Sequence, residues 1–250
     1  MAIIRMTTHN SEKTQGIVLK AMPYKESGQL VSVYTLQFGK MTFHARGVRK
    51  LTSKNAPSVQ SITLSEFELT PRKGISALIR GNGLQFYRHI KEQIECEIVA
   101  DYLLEYVYRY EEENHPDEEM FMMIKNTLDA LDQGYHFLLV YLLINCFILK
   151  RNGIDLEVDG CAICGNKKVE SFSINNGGFV CHMHNENELP DFTIQTLKAL
   201  RHIYKCPMKE IGKLHIEEEE LTKLMPVLSY YVEEYAGIRL KSQTFVKQIV

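Results

Sequence analysis

The sequence predicts an α+β chain. Its first part is a five-stranded β-barrel of the OB type, and its second is an α-helical bundle with an inserted zinc-ribbon-like element. Three observations predict it. Short runs rich in Val, Ile, Thr, Tyr and Phe fill Gln15 to about Tyr87, and helical spacing of apolar residues replaces them from His89 onward. Two cysteine/histidine pairs are bunched between Cys161 and His184. The charge is also segregated: residues 1–88 hold 13 Lys/Arg against 4 Asp/Glu, a net +9, and residues 89–250 hold the other 16 against 27, a net −11. The overall charge of −2 hides this. Two modules with different partners are expected, with boundaries at 1–88 and 89–250 and an insertion at about 158–188.

The strands are read in order as "GIVLKAM", "QLVSVYTLQ", "KMTFHARGV", "ITLSEFELT" and "ISALIRGNGLQFY". Turn residues separate them at Ser27-Gly28, Gly39-Lys40, Asn55-Ala56-Pro57 and Arg72-Lys73-Gly74. Five strands in this length fit an OB barrel, and an SH3-like barrel fits the same pattern. From His89, Ile90, Ile94, Ile98, Tyr102 and Leu103 fall at helical spacing. "DEEMFMMIKNTLDALDQG" has acids in its first turn and Gly134 after its end, which start and stop a helix. The apolar run "HFLLVYLLINCFIL" follows. It is shorter than the roughly 20 residues a bilayer needs, so it predicts a buried helix. "DFTIQTLKALRHIYK" and "EEEELTKLMPVLSYYVEEYAG" complete the bundle. Asp191 and Glu217–Glu220 suit helix N-termini, and Pro226 predicts a kink or break.

The composition, 45% hydrophobic and 24% charged, is that of a soluble globular protein. The opening residues lack a signal-peptide h-region and read as a frayed lead-in. Six unevenly spaced cysteines do not form a secreted disulfide framework, so a cytoplasmic chain with reduced thiols and no membrane association is expected. No P-loop, nucleophile elbow or H-E-x-x-H motif occurs, and the chain is not expected to be an enzyme.

Cys161 and Cys164 form C-x-x-C, and Cys181 and His184 form C-x-x-H, with 16 residues between the two pairs. Four N/S ligands in two such pairs match a closed, tetrahedral, structural zinc site, one per chain. A catalytic zinc would keep a position open for water. Free cysteines in a loop that has lost its metal are the plainer alternative. His182 rivals His184 as the fourth ligand. Cys206 lies too far along the chain, and Cys96 and Cys146 read as small core residues.

The stretch "GKMTFHARGVRKLTSKN" carries Lys40, His44, Arg46, Arg49, Lys50 and Lys54 and no acid. With Phe43 and His44 as flat rings, it suits single-stranded nucleic acid: cations neutralise phosphate and rings stack on bases. It would run along the third strand into the following loop, with Lys25, Arg72, Lys73 and Arg80 extending the surface. A solvated basic face is the bland alternative.

These features together resemble the RecO family of bacterial recombination mediators, across nearly the whole chain. The G-I-V-L of Gly16–Leu19, the Y-x-E-S of Tyr24–Ser27, the F-G-K of Phe38–Lys40 and the A-R-G-x-R-K of Ala45–Lys50 look like the family's opening barrel. "DGCAICG" and "GGFVCHMH" look like its variable metal element, and "YYVEEYAGIRLKSQTFVKQI" like its terminal helix and tail. Gly28-Gln29 stands where the family often has an Asp-Lys type pair. Family members carry from four metal-site cysteines to none. The resemblance implies a DNA repair and recombination mediator. Such proteins bind single- and double-stranded DNA and anneal complementary strands. With RecR, they help load RecA onto DNA coated by single-strand-binding protein, whose tail docks on the helical domain. The competing expectation is a zinc-ribbon/OB adaptor in transcription or RNA metabolism.

Overall fold

The computed structural model describes residues 11–70, 75–186, 189 and 191–250. Five strands form a closed barrel: β1 (Glu12–Tyr24), β2 (Gly28–Thr35), β3 (Gly39–Ala45), β4 (Leu64–Thr70) and β5 (Ser76–Gln85). Their order around the barrel is β1-β2-β3-β5-β4. Every pairing is antiparallel except β3 with β5. This is the OB-like arrangement.

The long first strand closes the barrel. Its start pairs with β4 (Glu12 opposite Leu69) and its end with β2 (Tyr24 opposite Gly28), with a register shift between Val18 and Lys20. Such an irregularity bends a strand, which lets one strand serve two neighbours. Period-2 alternation sends Val18, Val31, Val33, Met41, Phe43, Phe67 and Leu69 inward, where they form one buried cluster. On β3 the inward set is Met41, Phe43 and Ala45, and the outward set is Lys40, Thr42 and His44.

The chain divides into two compact units. The first holds the barrel through Glu92 together with Ala100–Asp129, and the second holds Gln93–Val99 and Ala130–Val250. Within the first, the Lys40 ammonium donates to the Tyr108 carbonyl at 2.9 Å, and the Asn114 N–H donates to the Lys40 carbonyl at 2.8 Å. The helical run expected from His89 is interrupted. It forms α1 (Arg88–Glu92) and α2 (Ile94–Tyr110), because the Gln93 carbonyl opens a new ladder by accepting from the Glu97 N–H at 3.0 Å. Helix α3 (Glu118–Asp132) starts with the Asp117 carboxylate accepting from the Met120 N–H.

In the second unit, α4 (Phe137–Arg151) is buried along nearly its whole length, as its sequence requires. Cys146 lies within it, and burial pushes its thiol up to about 12, as befits an inert core residue. Helix α5 (Ile194–Lys205) is capped by Thr193, with Thr196 completing a reciprocal capping box. Asp191 therefore lies outside this helix start. Pro226 sits inside α6 (Glu218–Tyr230), which widens into a π-helical turn at Tyr231–Tyr235 before α7 (Lys241–Val246). Among the described residues no helix is long and apolar enough to cross a membrane.

Candidate metal centre and nucleic-acid surface

The metal-ligand expectation falls on a small hairpin, β6 (Ser171–Ser173) and β7 (Gly178–Val180), with a knuckle before it and a 3₁₀ turn after it. The knuckle turns at Gly165, whose φ of +72° is left-handed and whose N–H donates to the Cys161 carbonyl at 2.8 Å. The turn His182–His184 then brings His184 back over the cysteines. The ligand atoms of Cys161, Cys164, Cys181 and His184 all lie within 4.8 Å of one another. The Sγ atoms of Cys164 and Cys181 are 3.8 Å apart, and His184 Nδ1 lies 3.5 Å from Cys161 Sγ and 3.4 Å from Cys181 Sγ. This group could hold a metal ion.

His182 is not part of the cluster. Its ring faces solvent and pairs with Glu170 at 3.1 Å. Burial pushes the Cys161 thiol up, but the N–H groups of Cys181, Cys164 and Ile163 point at its sulfur and bring it down to about 6. The Asn166 N–H pulls Cys164 down, but desolvation and the neighbouring thiols outweigh it and hold Cys164 above its ordinary value. One thiolate is thus favoured and a second resisted, and a cation relieves that conflict.

The hairpin is clipped to the rest of its unit. Buried Phe172 meets Phe179, Phe192 and Tyr231, and the hydroxyls of Tyr231 and Tyr235 both donate to the Ile174 carbonyl. Upstream, Asp159 accepts from Arg201 (2.8 Å) and Lys205 (2.5 Å), whose hydrogen bonds hold its carboxyl below the usual range.

The basic residues fall into three groups. Arg46, Arg49, Lys50 and Lys54 are exposed on the loop after β3, and Lys25 is exposed on the β1–β2 turn. The loop is tied to that turn by the Arg49 N–H, which donates to the Ser27 carbonyl at 3.0 Å. Lys40 is half-buried and engaged with the Tyr108 carbonyl and ring. Arg80 shares a recess with Lys13, Asn82 and the carboxylates of Glu66 and Glu68, which makes it a poor phosphate ligand. Arg72 and Lys73 lie outside the described residues.

Phe43 requires a correction. It is 0% exposed and packs on Phe67 with ring centroids 5.1 Å apart, so it cannot stack on a base. Alternation along β3 sends it inward. His44, one residue on, is on the outside. A ring that the sequence reading passed over, Tyr24, stands against it with centroids 5.0 Å apart and planes at 89°.

Two family profiles cover this chain. The description "Recombination protein O N terminal" matches residues 6–87, and "Recombination protein O C terminal" matches residues 92–244. The chain belongs to the recombination protein O family. Curated relatives carry the name DNA repair protein RecO. That of Listeria monocytogenes serotype 4a is 28% identical over 244 residues, covering 95% of this chain and 94% of the relative. The Bacillus subtilis protein is 29% identical over 240 residues, with 95% and 94% covered. That of Exiguobacterium sibiricum is 25% identical over 242 residues, with 96% and 97% covered. The protein is thus a RecO-family DNA repair protein, with the OB-like barrel in the N-terminal match and the Cys3His cluster in the C-terminal one.

Proposed function

We propose that this protein binds single- and double-stranded DNA through the barrel's cationic rim and anneals complementary strands. In this reading it helps load RecA, together with RecR, onto DNA coated by single-strand-binding protein, within the cytoplasm. The observation that carries the reading is the exposed set Lys25, Arg46, Arg49, Lys50 and Lys54, gathered on two tied loops of an OB-like barrel in a RecO-family chain. Annealing needs no covalent step. Cations that neutralise phosphate remove the repulsion between two strands while leaving most bases free to pair. The barrel of residues 1–88 serves as the DNA-binding domain. The acidic, helical 89–250 serves partner proteins, with its insertion at about 158–188.

The metal in this reading is zinc in a structural role, held by Cys161, Cys164, Cys181 and His184. Tetrahedral zinc with its usual bond lengths sets ligand sulfurs about 3.8 Å apart and sulfur to nitrogen about 3.5 Å. The observed 3.8, 3.5 and 3.4 Å fit. Three thiols and one imidazole leave no open position, so bound zinc would hold the hairpin's shape rather than activate water.

A fluorescence annealing assay tests the function, using the full chain and complementary oligonucleotides, bare and coated with single-strand-binding protein. Accelerated annealing that weakens steeply with salt is expected. Tight DNA binding without annealing would instead favour a zinc-ribbon/OB adaptor.

A further inference from the structure

The cations of the rim account for holding phosphate, which single and double strands share. They give no reason to prefer one over the other. A preference needs contact with base faces, which a duplex keeps stacked and hidden. Phe43, the ring that sequence reading assigned to this task, is in the core.

The surface supplies another pair. Tyr24 ends β1 and His44 lies on the outward face of β3, and their rings meet edge to face at 5.0 Å and 89°. Tyr24 is 37% exposed, enough to offer ring surface, while its backbone stays paired with Gly28. The His44 ring is held from behind. A Cβ on Gly28 would lie 2.6 Å from His44 Nε2 and 3.0 Å from the Tyr24 carbonyl oxygen, so glycine leaves the ring room to pack against the turn. The pair is therefore set before any ligand arrives. Cations surround it: the Lys25 ammonium sits 5.4 Å from the Tyr24 ring centre, and Arg46 follows His44 by two residues. Burial, Arg46 and Lys25 all hold the His44 pKa below 6.5, so its ring is neutral near pH 7 and offers a π face rather than a charge.

We propose that Tyr24, braced by His44, is a base-stacking platform that gives the cationic rim a preference for unpaired over paired DNA. The Lys25 ammonium over the Tyr24 ring marks the face that a base takes. An exposed cation–π contact is weaker than base stacking, so the base displaces the ammonium, which turns to the adjoining phosphate. Every base has a π face, so the preference is for single strands and not for sequence. This inference rests on the DNA-binding reading above.

The test measures full-length wild type, Tyr24→Ala, Tyr24→Phe and the triple Arg46→Ala, Arg49→Ala, Lys50→Ala variant by anisotropy. The probes are a single strand, its duplex, and a single strand carrying abasic sites, each at several salt concentrations. Tyr24→Ala should weaken single-strand binding roughly 5- to 100-fold, leave duplex binding within about twofold, and keep the salt slope. Tyr24→Phe should retain wild-type affinity. Wild type should bind the abasic strand as weakly as Tyr24→Ala binds the intact one, which tests the platform even if the alanine variant is misfolded. Equal wild-type affinity for abasic and intact strands would overturn the platform. So would an unchanged single- to double-strand ratio in folded Tyr24→Ala. If the triple variant loses both DNA forms alongside either result, the rim reading stands and only the platform falls. A triple variant with full affinity would overturn the rim reading itself.

Discussion

Ten buried side chains fill the barrel, drawn from its strands and the β3–β4 loop. Around the candidate metal site, the knuckle among the described residues gathers a buried cluster of Cys161, Val180 and Cys181, with Val169 packed against it. Two of those three are metal-ligand candidates. The barrel is thus a shape that apolar burial can hold unaided, leaving the residues on its outside free to vary with function. The knuckle is too small for that, so its candidate ligands are also much of its core, and the hairpin leans on the rest of its unit through Phe172. Function and stability are separable in the first region and merged in the second.

The largest expected effect tests the merged half. Structural zinc contributes about 10–16 kcal/mol of apparent binding free energy in small zinc domains, so removing the metal should unfold the knuckle and hairpin. Hydrogen exchange after chelation should show protection lost at residues 161–184 and kept in the barrel strands. Cys161→Ser with Cys164→Ser should do the same and abolish metal by elemental analysis. A hairpin that stays protected without metal would end the contrast.

The next effect tests the apolar half. Phe43→Ala leaves a hole against Phe67 and should cost about 3–5 kcal/mol in a urea titration. DNA affinity below the unfolding range should be unchanged. A selective loss of affinity with stability intact would return Phe43 to the binding surface. Smaller in stability but decisive for function is the triple Arg46→Ala, Arg49→Ala, Lys50→Ala variant. It should fold normally, since exposed cations contribute little. It should lose affinity for all sequences about equally, with a salt slope shallower by up to about three phosphate contacts.

The smallest effect is on the His44 titration. Its folded-state pKa lies below the ordinary 6.5 because of burial, Arg46 and Lys25, in that order. The unfolded chain therefore takes this proton first. The group's contribution is complete above about pH 6.5 and is lost as pH falls below it. Arg46→Ala and Lys25→Ala should each raise the His44 midpoint in an NMR titration. A midpoint that does not move would separate His44 from the cationic rim.

Much of this was legible in local pattern. Strand runs, turn residues and the two cysteine pairs are short-range signals, and both the barrel and the choice among cysteines followed from them. Period-2 alternation on β3 also carried the information that Phe43 points inward with Met41 and Ala45. Flatness and neighbouring charge outweighed it in the sequence reading. Other features depend on distant partners. Lys40 looked free until the Tyr108 carbonyl, 68 residues away, was seen to hold it. Arg80 looked available until β4 set Glu66 and Glu68 beside it. Tyr24 directly follows Pro23, beyond the end of the first strand run, and only the β2 and β3 registers bring His44 to it. The compact unit of barrel plus Ala100–Asp129 has no local signature at all.

The seam between β1 and β4 has a consequence for how the chain is made. Ribosomes add roughly 5–20 residues per second and release the N-terminus first, so β1 and β2 emerge as a hairpin while β4 is still unwritten. For seconds, the start of β1 is an open strand edge, and such edges recruit other copies. Its exposed positions there are Glu12, Lys13 and Gln15, whose eventual neighbours across the seam are Leu69, Glu68 and Glu66. Charge on a waiting edge discourages pairing with an identical nascent chain, because charged side chains resist the desolvation that stacking edge to edge brings. The rule that guards finished sheets thus operates here during synthesis, and its trace survives as a charged, solvent-facing strip on a closed barrel.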